Sequence, residues 1–134
     1  MPYNASVYSQ KPSQAEQLSY GDKILLDADE EMRVVFVAEI SGIRAEGNYT
    51  RVQLADGSSS FVRRGITQWD SMLPKPFFVR VERSLIIHLK AVRKVIAHDR
   101  EEVSAEIEGF KDPLALGRRG SFRLRRALRE SQVL

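Results

Sequence analysis

The sequence predicts a mostly β fold: short antiparallel strands, one or two short helices and a helix at the C-terminus. Three observations carry this. First, β-branched and apolar residues fall in short runs, broken by acidic, glycine and proline positions. Second, Asp56-Gly57 separates two alternating runs, a hairpin signal because glycine accepts positive φ without steric cost. Third, the final segment carries Leu124, Ala127 and Leu128 at helical intervals.

Residues 1–20, rich in Ser, Gln, Pro and Tyr, read as a flexible arm or a strap on the surface. The folded unit is expected over 21–130, with 131–134 as a tail. Lys23–Leu26 opens as a short strand. Asp27–Glu31 turns the chain, because clustered acids are not buried cheaply. Arg33–Val37 is a β-branched strand, and Val37–Ile40 a brief turn. In the hairpin over 48–65, Thr50, Val52 and Leu54 share one face and Tyr49, Arg51 and Gln53 the other. Ile66, Trp69 and Leu73 predict about two helical turns, with Thr67 a candidate cap. Pro74 and Pro76 end that helix. Phe77–Val81 returns as a strand, and Ser84–Leu89 is strand or buried turn. Val92–Ala97, Val103–Ile107 and Leu114–Leu116 are further strands. The last helix is expected to take Ser121 as its N-cap. Met32 and Met72 read as gap-fillers in the core.

One domain fits 134 residues, and 43% apolar content fills a core. The absence of cysteine excludes a disulfide scaffold, thiolate metal sites and a cysteine nucleophile, and it fits a reducing cytoplasm. No stretch of the sequence is long and apolar enough to span a bilayer or to serve as a signal peptide.

Charge is polarised. Residues 1–79 hold 8 Lys/Arg against 10 Asp/Glu, and residues 80–134 hold 13 against 8. From Gly117 to Arg129 there are six arginines and no acid. The guanidinium fork pairs with phosphates and with guanine edges, so a basic C-terminal half points first to nucleic acid. Catalysis finds no support: HExxH, P-loop and GxGxxG patterns are missing, and His88 and His98 have no metal-site spacing. No enzyme activity, cofactor or metal is expected. His88, inside an apolar run, is a core histidine or a contact residue. Glu82 is expected to pair with an arginine or face solvent.

Five segments in order, Glu46-Gly47-Asn48-Tyr49-Thr50-Arg51-Val52, Asp56-Gly57, Leu73-Pro74, Phe78-Val79-Arg80-Val81-Glu82-Arg83-Ser84-Leu85-Ile86-Ile87 and Gly117-Arg118-Arg119, resemble the LytTR DNA-binding domain. The resemblance covers about residues 22–130. It implies an elongated domain of short antiparallel sheets, whose loops enter neighbouring major grooves of bacterial promoter DNA at paired sites. It implies base contacts from Asn48, Arg83 and Arg118. Arg80, Ser84, His88, Arg119, Arg123 and Arg126 follow as backbone-contacting or supporting residues. Three positions depart from the common pattern: Glu82 stands where many members have His, Gly117 where many have Ser, and His88 where Asn is usual. Expected partners are double-stranded promoter DNA, a second copy on paired sites and a regulatory protein, with no membrane. The competing readings are a protein-interaction module that keeps the fold without binding DNA, and an RNA-binding β-domain with Tyr49 as its stacking residue. No receiver domain fits within residues 1–20, so the chain is expected either to stand alone or to be the excised part of a longer regulator.

Overall fold

The computed structural model describes residues 17–134. Most of the expected arm, residues 1–16, lies outside the described residues. In chain order the elements are β1 (Lys23–Asp27), β2 (Met32–Phe36), β3 (Ile40–Glu46), β4 (Tyr49–Leu54), β5 (Ser59–Val62), α1 (Ile66–Met72), β6 (Phe78–Glu82), β7 (Leu85–His88), β8 (Val92–Ala97), β9 (Val103–Ile107), β10 (Leu114–Ala115) and α2 (Arg118–Glu130). Single 3₁₀ turns over Val37–Glu39 and Leu89–Ala91 link β2 to β3 and β7 to β8. The fold is mostly β, as the sequence predicts.

The centre is a five-stranded antiparallel sheet in the order β5-β4-β3-β7-β6. Successive side chains of a strand point to opposite faces. Ile86 therefore joins one apolar core and Ile87 the other. A strand buried on both faces reads as a continuous apolar run, which is why 85–88 shows no alternation. On the first face lie the β1–β2 hairpin and α1, packed through Leu26, Val35, Val52, Ile66, Trp69 and Phe78. On the second face lie the β10-β9-β8 sheet and α2, packed through Val81, Leu89, Ala105, Leu116 and Leu124.

The β4–β5 hairpin keeps its expected faces: Thr50, Val52 and Leu54 are buried, and Gly57 sits at φ 94°. Asp56 caps the turn by accepting from the amide (2.9 Å) and hydroxyl (2.6 Å) of Ser58. Trp69 is fully buried, and its indole N–H donates to the Thr50 hydroxyl at 2.8 Å, which itself donates to the Arg64 carbonyl at 2.8 Å. Gly109 joins the outer sheet to the central one. Its carbonyl accepts from Gln53 Nε2 at 2.8 Å, its φ is +91°, and a Cβ there would overlap the Leu54 carbonyl.

Residues 17–20 form a strap over the first core. The Leu18 amide donates to the Met72 carbonyl at 2.8 Å, and Tyr20 stacks on Phe77 with centroids 3.9 Å apart.

Several expectations need correction. The helix α2 begins three residues before Ser121, with Gly117 at its cap position. Ser121 is buried instead, its hydroxyl donating to the Leu116 carbonyl (3.3 Å) and accepting from the Val103 amide (2.9 Å). Thr67 does not cap α1, whose cap position is Gly65. Met72 is buried as expected, whereas Met32 is 68% exposed, because β2 has no layer over its outer face among the described residues.

His88 is a core residue, which removes it as a direct DNA contact. Its Nδ1 lies 2.8 Å from the Ile40 carbonyl, and its Nε2 lies 3.0 Å from the Tyr20 hydroxyl. A carbonyl only accepts, so Nδ1 carries the proton and Nε2 accepts from Tyr20. Burial holds the imidazole below its ordinary pKa, despite the bond to Ile40, and burial raises that of Tyr20.

Candidate nucleic-acid interface

Antiparallel pairing gathers several turns at one end of the central sheet. β3 runs against both β4 and β7, and β7 runs against β6. The β3–β4 turn with Asn48, the β6–β7 turn with Arg83 and Ser84, and Arg63 at the end of β5 therefore share that end. Two strand spacings separate the turns of Asn48 and Arg83, roughly 10 Å. Asn48, Arg83 and Ser84 are exposed, and their side chains have no hydrogen-bond or ion-pair partner among the described residues.

Other side chains hold the Arg83 turn. Arg80 donates to the Arg83 carbonyl through Nε (3.1 Å) and Nη2 (2.6 Å). The same guanidinium reaches the Thr67 hydroxyl at 3.3 Å and Asp70 at 3.9 Å. Arg80 thus buckles its own turn to α1. It takes that role because the β6–β7 register slips between Arg80 and Glu82, so strict alternation does not apply there. The Ser84 carbonyl accepts from the Ala45 amide at 2.9 Å, tying the turn to β3.

Glu82 brings the last helix into the same group. Its Oε2 accepts from the Gly117 amide at 2.8 Å. No side chain at the helix's own cap position does this, since that residue is glycine. A carboxylate here also meets the positive end of the helix dipole. The carboxylate lies across the first turn, and a Cβ at position 120 would approach it to 2.6 Å, so a larger residue there would have to displace the Glu82 side chain. Glu82 therefore binds the backbone, where pairing with an arginine or exposure to solvent was expected.

The result is an open groove of about 630 Å³, walled by Glu82, Arg83, Gly117, Arg118, Arg119 and Arg123. Arg119 has no side-chain partner among the described residues. Arg118 pairs with Glu101 at 3.2 Å on the surface, and Arg123 donates to the Val81 carbonyl at 3.3 Å. Arg126 pairs with Glu130 at 3.3 Å. It sits about 12 Å along the helix from Arg118, away from the turn tips.

Arg63, not among the residues that the sequence singles out, stands at the end of β5. Only the β4–β5 register places it beside the Asn48 turn. The guanidinium of Arg63 lies over Tyr49 (5.3 Å), Tyr49 stacks on Phe61 (4.7 Å), and Arg51 lies over Phe61 (4.9 Å). These rings are occupied by one another and by arginines, so Tyr49 offers no open platform to a base.

An antiparallel β domain that presents arginine and asparagine on its turn tips, beside a basic helix start, has the chemistry that suits a nucleic-acid-binding class. The model of the LytTr DNA-binding domain matches residues 30–129, and the chain belongs to that family. A solved structure, the LytTr DNA-binding domain assigned to a methyl-accepting/DNA response regulator from Bacillus cereus, has a similar fold. It superposes with a TM-score of 0.68 at 14% identity, covering 79% of this chain and 95% of that one. A search of curated protein sequences found no match.

Proposed function

We propose that this chain is a bacterial transcriptional regulator that binds double-stranded promoter DNA sequence-specifically, its turn tips entering successive major grooves at paired sites. Membership of a DNA-binding family supports the DNA partner. The observation that carries the finer reading is the common end of the sheet, where Asn48, Arg83 and Arg118 project from three separate supports. Arg118 and Arg83 are suited to guanine O6 and N7, and Asn48 to adenine N6 and N7. Ser84, Arg119 and Arg123 are placed to meet phosphates on either side. Arg80 supports from behind, and His88 only from within the core. Arg126 lies too far along α2 for the same groove.

This reading places the protein in the cytoplasm, without a catalytic role, and with a second copy or a regulatory protein as further partners. The RNA reading loses its stacking residue to the Tyr49–Phe61 pair. A protein-interaction module without DNA binding predicts no duplex affinity. Selecting bound duplexes from a randomised pool tests the proposal. Enrichment of a two-part site, with affinity falling steeply between about 50 and 200 mM salt, is expected. Absence of enrichment, with salt-independent or no duplex binding, would overturn it.

A further inference from the structure

Two surfaces are unusual for a small protein: one lies away from the DNA-facing end, and the other adjoins it, sharing Arg118, Arg119 and Arg123 with that groove. The first is the outer face of the β1–β2 hairpin. Met32 (68% exposed), Val34 (66%) and Phe36 (47%) alternate along β2 and point the same way. Their register partners Asp27, Leu25 and Lys23 on β1 complete that face. At the hairpin tip stand Asp27, Asp29, Glu30 and Glu31, all exposed. The second surface is an open groove of about 1040 Å³ along α2, floored by Val79, Phe122 and Ala127. Phe122 is 62% exposed there. Arginines 119, 123, 125, 126 and 129 border it, with Arg118 at its start and only Glu101 and Glu130 as acids.

The two surfaces are complementary in both respects. One offers aliphatic and aromatic side chains next to an acidic tip. The other offers an exposed phenylalanine among arginines. They also sit where a single molecule cannot join them. The hairpin lies on the first face of the central sheet at the β5 edge, held by the Ala28–Val62 bridge and by Arg33 donating to Ser58 at 3.0 Å. The helix lies on the second face at the β6 edge, held by Glu82 and by Arg123. Opposite faces and opposite edges suit contact between copies, one after another.

We propose that the β1–β2 face of one copy docks in the α2 groove of the next, a head-to-tail contact between molecules of this chain. Phe122 enters between Val34 and Phe36, while the acidic tip meets the arginines towards the end of α2. Because the two patches differ, the contact is heterologous: a joined pair still has one free hairpin face and one free groove, on different copies, and assembly does not close at two. The small area and exposed charges make it weak and salt-sensitive. It becomes effective where a duplex holds two copies side by side, since the second contact is then intramolecular.

Sedimentation without DNA tests this separately from DNA binding, at low ionic strength and up to several hundred micromolar protein. The wild type is expected to grow with concentration beyond a dimer. A hairpin variant, Glu30→Arg with Val34→Arg, and a helix variant, Phe122→Ser with Arg126→Ser, should each stay monomeric alone. All four positions are exposed, so both variants should keep the wild-type circular dichroism. Mixed one to one, they retain one good patch of each kind and should form a dimer that grows no further. A wild type that stays monomeric, or stops at a dimer, would overturn the proposal. So would either variant assembling alone, or the mixture failing to pair.

Discussion

Arg83 stands on a turn whose carbonyl is gripped twice by Arg80, so its side chain is presented while its backbone is fixed. A preset tip loses little freedom on binding, which suits base reading more than loose phosphate contact. Arg83→Ala should cost about 1–3 kcal/mol on the selected site and much less on random duplex, measured at one salt concentration. Equal loss on both would make it a phosphate clamp. Glu82 calls for two substitutions. Glu82→Ala loses the acceptor for the Gly117 amide and should lower stability by about 1 kcal/mol in thermal or urea unfolding. Glu82→Gln keeps an acceptor oxygen and removes a negative charge beside the arginines, so it should keep more stability than Glu82→Ala and tighten duplex binding; a weaker complex would contradict this. His88 predicts a pH effect. Its folded pKa lies below the unfolded value of about 6.5, so the unfolded chain binds more protons as pH falls. Its contribution is therefore present above about pH 6.5 and lost below it. The melting temperature should drop between pH 7.5 and 5.5 more steeply in the wild type than in His88→Gln. The placement of Arg83 and Asn48 on turns was legible because turn chemistry and charge are local. Glu82 was not, because its partner lies 35 positions away.

The same distinction holds for elements. The β4–β5 hairpin followed from alternation and Asp56-Gly57, and α1 from Ile66, Trp69 and the prolines. The start of α2 did not follow, because a serine before an apolar stripe is an ordinary cap signal. Here the first turn is capped from β6 instead, so Gly117 takes the cap position and Gly120 lies in the first turn. That arrangement predicts coupling. Gly120→Ala alone displaces the Glu82 carboxylate and should destabilise. In a Glu82→Ala background the same change no longer meets that carboxylate and should stabilise the helix, by up to about 1 kcal/mol. A double-mutant cycle by urea unfolding reads this directly, and additive effects would disprove the contact. The exposed row of β2 was hidden for a related reason: Met32, Val34 and Phe36 alternate as any half-buried strand does. Nothing local reveals which face receives a second layer.

For the whole molecule, the charge asymmetry along the chain translates into space through topology. The 8 to 10 and 13 to 8 balances of the two halves do not themselves locate a surface. The antiparallel order β5-β4-β3-β7-β6 does, since it sends Asn48, Arg63 and Arg83 to one end and Arg93 towards the other. Replacing Arg119 with alanine should reduce the slope of log affinity against log salt by about 0.9, uniformly across sequences. The same change at Arg93, which pairs with Glu108 at 3.5 Å, should leave the slope alone. Fluorescence-anisotropy titrations at four or more salt concentrations separate the two outcomes. The family resemblance was legible because its segments are short and ordered along the chain. The assembly of three turns into one end was not, because it depends on strand register.

Trp69, the one tryptophan in the chain, lies wholly in the core on the first face. The α2 helix and the outer three-stranded sheet pack in the other core, whose buried members are all different residues. Tryptophan emission therefore watches only half of the molecule. Loosening of the basic helix from Glu82, which would disable the DNA-facing end, should leave the emission maximum unchanged. A tryptophan introduced at the exposed Phe122 would report that event, and disagreement between the two signals during urea unfolding would reveal α2 leaving first.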